Sequence, residues 1–268
     1  MLHIFSAGVA AQLVQSIAEQ WNKAHPALPC DVVRGGSVDG IRRVLNGEVF
    51  DVMVLADNEN IDAMLTPRYA DGYFVWGGNE MVVLGKGVTA DNWKEKLLDP
   101  QAKLKHFDPY GDPGGYRAVL AMQLGNRVEP GLGDRLLHHP NYNGLDRALY
   151  QAGAGPKKIG IPEDGTYRIL YKSIAVASGG DYGTLPAEMN LGDPAYESLY
   201  QSVSFAVDAH TLVRGNVIRH GVCIPRNAHE KAAAEEFVRQ FLAIPFSRYG
   251  FTPVQQAVGH WTVGQGEG

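Results

Sequence analysis

Residues 2–65 alternate short apolar runs with stretches of helical periodicity, and few architectures accept that pattern. Leu2 to Phe5 is an apolar run closed by Ser6-Ala7-Gly8. Val9 to Ala24 then carries apolar side chains at Val9, Leu13, Val14, Ile17 and Trp21, which is helical spacing, and His25-Pro26 stops it. Cys30 to Val33 reads as a strand. Val38, Ile41, Val44 and Leu45 mark a second helix that ends at Asn46-Gly47. Val49 to Ala56 is a strongly apolar strand, and Asn60 to Leu65 a short helix. This β–α–β–α–β order, with connections of a few residues, predicts an α/β fold with a parallel sheet flanked by helices.

Further strands are expected at Glu80–Gly85, Tyr167–Tyr171 and Asn216–Ile224, and helices at about Tyr116–Leu124, from Ser173 onward, and at Asn227–Leu242. Residues 125–165 are rich in Gly and Pro and poorly patterned. The chain has 268 residues, 45% hydrophobic and 20% charged, which excludes intrinsic disorder. With 24 basic against 29 acidic residues it lacks the positive surplus of a nucleic-acid binder. No apolar run approaches the roughly 18 residues of a membrane span. Cys30 and Cys223 lie in apolar stretches outside any CxxC pair, so a zinc ribbon is excluded and two buried thiols are expected. Met1 runs straight into a strand without a signal sequence, so the protein either works in the cytosol or follows a leader that has been removed.

The 32 glycines concentrate interest on three strand-to-helix junctions: Ser6-Ala7-Gly8-Val9, Gly35-Gly36-Ser37-Val38 and Asp112-Pro113-Gly114-Gly115-Tyr116-Arg117. Each places small residues at a helix amino terminus, where backbone N–H groups lack intrahelical partners and the helix dipole is positive. Such ends make an anion site without lysine or arginine, outside the carboxyl ends of the strands. The plainer reading of each junction is a helix cap. His138-His139 and Lys157-Lys158 read as solvated surface doublets, and Trp76, Trp93, Tyr167 and Tyr171 as core or packing aromatics. No Gly-x-Ser-x-Gly elbow, His-Glu-x-x-His or Walker A pattern occurs, so an enzyme is not expected.

Several segments together resemble the solute-binding proteins of molybdate/tungstate ABC transporters. They are Ile4-Phe5-Ser6-Ala7-Gly8, Gly35-Gly36-Ser37, Phe50-Asp51-Val52 through Ala56-Asp57, Asn79-Glu80-Met81-Val82, Asp112 to Arg117, Tyr171 to Ala175, Leu185 to Leu191, and Gly221 to Ala228. The likeness follows chain order over nearly the whole length. It implies a two-lobed periplasmic-binding-protein type II fold, with mixed sheets flanked by helices and two hinge crossings. Lobe one takes residues 1–79 and the return segment 217–268, and lobe two takes 80–216. The implied ligand is a small oxyanion held in the cleft and delivered to an ABC transporter permease by a monomer outside the cell membrane. Contact with the membrane is then only through the permease or a lost lipid anchor, with no nucleic acid and no cofactor.

Residue by residue, the resemblance implies ligand contacts from Ser6, Gly8, Val9, Ser37, Ala56, Gly115, Tyr116 and Tyr171. Asp112 matches a carboxylate that approaches the oxyanion's metal centre, and no free metal ion is implied. Two departures stand out. Val9 replaces a serine and leaves only its amide. The segment between Gly155 and Tyr167 is short where the family carries a helix with a second metal-approaching glutamate, and Glu163 and Asp164 are the candidates to replace it. The rivals are a binding protein for a metal chelate or organic anion, and a cytosolic ligand-sensing domain of the same fold.

Overall fold

The computed structural model describes residues 1–153 and 160–263. The chain falls into two compact units, Met1–Gly78 with Arg219–Ser247 and Pro253–Gly268, and Asn79–Ile218 with Arg248–Thr252. The first unit begins with β1 (Leu2–Ala7), α1 (Ala11–Ala24), β2 (Cys30–Gly35), α2 (Ser37–Leu45), β3 (Val52–Leu55), α3 (Asn58–Met64) and β4 (Gly72–Gly78). The second holds β5 (Met81–Leu84), α4 (Trp93–Leu98), β6 (Lys103–Lys105), α5 (Pro113–Val128), α6 (Leu132–Leu137) and α7 (Arg147–Gln151). It continues through β7 (Thr166–Tyr171), α8 (Lys172–Ser178), β8 (Tyr182–Thr184), α9 (Glu197–Tyr200), β9 (Ser204–Ala206) and β10 (Leu212–Arg214). The return segment supplies β11 (Arg219–Cys223), α10 (Lys231–Leu242) and β12 (Thr252–Gly259).

In the first unit a six-stranded sheet runs β12-β4-β11-β3-β1-β2. Strands β2, β1 and β3 are parallel, as the alternation predicts, and β11 enters antiparallel between β3 and β4. One sheet face packs Phe5, Met53 and Leu55 against Ile41 and Val44 of α2 and Ile61 of α3. On the other face, Trp21 of α1 meets Phe237 of α10 edge-on at 6.0 Å. Gly40 brings α2 down onto the sheet, since a Cβ there would lie 2.3 Å from the Phe5 ring. That close approach sets the α2 amino terminus at the carboxyl ends of β1 and β3.

In the second unit the sheet runs β6-β7-β5-β8. Helix α5 buries residues on nearly every side, among them Ala118, Leu120, Ala121, Met122 and Leu124. An apolar surface all round is what a helix enclosed by a core requires.

Element boundaries move for local reasons. The helix expected from Val9 begins as a 3-10 turn over Gly8–Ala10, with α1 proper starting at Ala11. Helix α5 starts at Pro113, a residue suited to the first helical position, so Gly114 and Gly115 lie inside the first turn rather than before it. The unpatterned stretch holds α6 and α7. Strands β6, β8, β9 and β10 have three residues each, too few to display a period of two. Both cysteines are free and buried, and burial raises the Cys223 thiol to about 12, so it is inert at neutral pH.

Candidate functional site

The first unit gathers three of the sequence's small-residue segments at the carboxyl ends of its parallel strands. Ser6 pairs with Val54 of β3 and with Arg34 of β2, and Ala7 pairs with Gly35. The next residues of each strand, Gly8, Gly36-Ser37 and Ala56, therefore emerge side by side. Ser37 is the first residue of α2 and is 1% exposed. Its Oγ accepts the Ala56 N–H at 2.9 Å. With one lone pair engaged there, the hydroxyl proton is directed away from Ala56, which makes Ser37 a donor.

Two kinds of helix start occur: α1, α2, α4, α6, α8, α9, α10 and the 3-10 turn at Gly8 lack a side-chain cap, and others carry one. Asp57 caps α3, Asp112 caps α5 and Asp146 caps α7, each carboxylate accepting a backbone N–H. At α2 the capping position is Gly36, and at the 3-10 turn it is Ala7; neither start has a side-chain cap. Their first-turn amides are thus left for an acceptor from outside. Gly8 is exposed, with no heavy atom within 4 Å of an added Cβ, so nothing in the fold itself demands glycine there.

Two expected contacts in this unit take other partners. The Ser6 hydroxyl is fully buried and donates to the Ala7 carbonyl at 3.2 Å. The Ala56 amide, expected as a ligand donor, donates to Ser37. Asp51 of the resemblance is structural: its carboxylate accepts the N–H groups of His3, His229 and Glu230, tying β1 to the approach of α10.

In the second unit the α5 start is already filled by the chain's own carboxylate. Asp112 Oδ1 accepts from Gly114 N at 2.6 Å, and the Asp112 carbonyl accepts from Gly115 N at 2.9 Å and Tyr116 N at 3.2 Å. The amides of Gly115 and Tyr116, expected as ligand donors, therefore close the first helical turn. Gly115 is required for packing, since a Cβ would fall 2.4 Å from the Asp108 backbone. Burial pushes the Asp112 carboxyl above the usual carboxylate range, with the Asp108 charge adding to the rise and the Gly114 amide opposing it.

Tyr171 is brought to the same place: a Cβ on Gly114 would lie 3.0 Å from Asp112 Oδ1 and 3.2 Å from the Tyr171 ring. Sequence reasoning missed the group beside it. Arg117, 5% exposed, donates from a guanidinium nitrogen to the Tyr171 hydroxyl at 2.8 Å. Its place at the end of the Asp112–Arg117 junction was the available signal, since one helical turn carries it back over the start of α5.

The remaining candidates separate. Glu163 and Asp164 are exposed, and Asp164 pairs with Lys86 at 2.8 Å. His139 is buried with Nε2 2.9 Å from the Asp99 carbonyl, a packing histidine rather than a solvated one. Lys157 and Lys158 lie outside the described residues. Trp76, Trp93 and Tyr167 are core residues. Among the described residues no His, Cys, Asp and Glu group is placed to hold a metal ion, and no helix is long and apolar enough to cross a membrane. Ser37 meets a backbone amide rather than an imidazole or carboxylate, so nothing there activates it as a nucleophile.

A family model described as bacterial extracellular solute-binding protein matches residues 2–251. An uncharacterized solute-binding protein of Methanococcus aeolicus is 26% identical over 294 residues, covering 96% of this chain and 83% of the relative. The molybdate/tungstate-binding protein WtpA of Pyrococcus abyssi is 28% identical over 244 residues, covering 78% of this chain and 69% of the relative. Among solved structures, the periplasmic molybdate-binding protein of Azotobacter vinelandii matches with a TM-score of 0.62 at 15% identity, covering 95% of this chain and 100% of that one. At that identity the likeness shows the fold, a mixed α/β type II periplasmic-binding-protein fold.

Proposed function

The chain belongs to the bacterial extracellular solute-binding proteins, and from that premise we propose that it captures a small oxyanion, molybdate or tungstate first, and delivers it to the permease of an ABC importer. It acts outside the cytoplasmic membrane, as a monomer, and performs no covalent chemistry. Fixed donors at the carboxyl ends of the first unit's parallel strands replace the anion's water shell. One observation carries the reading: Gly8, the uncapped α2 start with its buried Ser37, and Ala56 come together at the carboxyl ends of the parallel strands β1, β2 and β3. The relative from Pyrococcus abyssi supports the choice of anion.

A tetrahedral form of the ligand suits this chain. In the second unit, Asp112 is held by the Gly114 amide, and Asp164 by Lys86. Of the two candidates for a second carboxylate among the described residues, Asp164 is thus engaged and Glu163 is exposed. The engaged α5 start favours one competing reading, an organic anion bound chiefly through the first unit.

Titration separates the two. At a concentration about 100 times the Kd, bound ligand adds about 2.7 kcal/mol of stability, or roughly 5–10 °C in Tm for a chain of this size. Molybdate or tungstate at micromolar concentration is expected to give that shift. A shift with small carboxylates alone selects the organic anion, and no shift with molybdate, tungstate or sulfate removes the oxyanion reading.

Gly8→Ala tests ligand approach without disturbing the fold. The open space around Gly8 predicts a change in stability within about 0.5 kcal/mol. A methyl group on the backbone that meets the anion is expected to weaken binding about tenfold, a loss comparable to one hydrogen bond. Unchanged affinity in a calorimetric titration removes Gly8 from the site.

A further inference from the structure

Beyond the residues that meet the anion, we infer that His220 is a positioning residue for the donor Ser37, acting through Ala56. The inference rests on the oxyanion reading for its ligand and on three contacts within the first unit for its geometry.

Ala56 lies one residue past the end of β3. The ladder with β1 stops at the Ser6–Val54 pair, and the ladder with β11 stops at Gly221–Leu55. Two side chains hold Ala56 beyond those rungs. Its N–H donates to Ser37 Oγ at 2.9 Å, and its carbonyl lies 2.8 Å from His220 Nδ1. A carbonyl only accepts, so Nδ1 carries the proton in this bond. The side chain of His220 thus supplies one further rung, and the residue it holds, through the carbonyl of the following peptide, is the one whose N–H meets the Ser37 hydroxyl.

His220 is itself built to stay in place. It is fully buried, and its ring stacks on Trp76 with centroids 5.1 Å apart and planes at 28°. Trp76 is packed in turn by Phe241 at 5.2 Å and Phe246 at 4.8 Å. The β4–β11 register shifts between His220 and Gly221, an irregularity that re-aims a side chain relative to a regular strand. His220 is also the second residue of the return from the second unit. The path Trp76–His220–Ala56–Ser37 therefore links the start of the return strand to a ligand donor by one stack and two hydrogen bonds.

The test opposes the hydrogen bond to the packing. His220→Phe keeps a ring on Trp76 but has no donor for the Ala56 carbonyl. His220→Asn loses the ring but places an amide N–H close to the position of Nδ1. The expected result is a roughly tenfold loss of molybdate affinity in the Phe variant, and affinity within about threefold of wild type in the Asn variant, even where its Tm is the lower of the two. In a Ser37→Ala background, His220→Phe is expected to add little further loss, because the two residues act along one path. Affinity that follows Tm across the variants, or Phe-variant binding equal to wild type, overturns the positioning role.

Hydrogen exchange at the Ala56 amide reads the same link without ligand. Protection is expected to fall about tenfold in His220→Phe and to persist in His220→Asn, with Val54 inside the ladder unchanged. If wild-type protein binds no oxyanion while Ala56 responds in this way, the oxyanion reading fails and the link stands. If the anion binds and Ala56 does not respond, the link fails alone. If His220→Phe does not fold, His220→Asn decides: lost affinity with Ala56 still protected overturns the proposal.

Discussion

Replacing Ser37 by alanine is expected to weaken molybdate or tungstate binding by roughly 10- to 150-fold, because a hydrogen bond to a charged group contributes about 1.5–3 kcal/mol. The size follows from the local geometry. Ser37 is 1% exposed, and its oxygen already accepts the Ala56 amide, so the proton it offers is turned away from Ala56 and its orientations are restricted before the ligand arrives. A donor that is ordered in advance loses little entropy on binding and is correspondingly strong. The same substitution removes the acceptor of the Ala56 amide, at a cost of about 1–3 kcal/mol in stability. Two measurements therefore move together: Kd by calorimetry, and the denaturant midpoint of the ligand-free protein. Gly8→Ala is expected to move only the first. A Ser37→Ala protein that binds as tightly as wild type, with only the midpoint lowered, would make Ser37 a cap on β3 and nothing more.

How much of this was legible in the chain differs by element. The parallel β1, β2 and β3 followed from long apolar runs set between helices of clear periodicity. Strand β4 escaped because glycines frame it at Gly72 and Gly77-Gly78, and β12 because its residues are mostly exposed and show no clear apolar alternation. Several resemblance segments meet in one network of the second unit. Asn79 donates to Ser173 Oγ at 2.8 Å, Lys172 pairs with Glu80 at 2.6 Å, and Asn190 donates to the same Glu80 at 2.9 Å. Their roles are structural, which motif matching cannot separate from ligand binding, since both place polar residues at fixed positions. The partners of Ala56, Gly115 and Tyr116 were illegible for a similar reason. A small residue at a helix start has the same appearance in sequence whether its amide faces a ligand or closes a turn. What separates the cases is the cap: an aspartate at the capping position of α5, and glycine at that of α2. The contacts of Ser37 and of His220 join residues 19 and 164 positions apart, which no local pattern encodes.

Asp112→Asn has the second large expected effect, and its sign decides what the carboxylate does. Asparagine is about as good a cap as aspartate, and its Oδ1 can still accept the Gly114 amide. The substitution therefore removes the charge and keeps the cap. The folded Asp112 carboxyl is raised above its unfolded value, chiefly by burial. A raised carboxyl makes the folded state the stronger proton binder. Its contribution to stability is thus full below about 3.8, the unfolded value, and is lost as pH rises toward the folded one. At neutral pH, Asp112→Asn is expected to be neutral or stabilising, whereas Asp112→Ala, which loses the cap, costs about 1 kcal/mol. On the tetrahedral reading, a negative charge near an anion is unfavourable, so the Asn variant is expected to bind molybdate about tenfold more tightly at neutral pH. Wild-type affinity is expected to rise as pH falls through the raised value, while that of the Asn variant stays level. A carboxylate that approaches the metal centre predicts the reverse, loss of molybdate binding in the Asn variant with stability intact. One substitution, read by calorimetry at two pH values and by thermal unfolding, therefore distinguishes an anion held by hydrogen bonds from one whose coordination the protein expands.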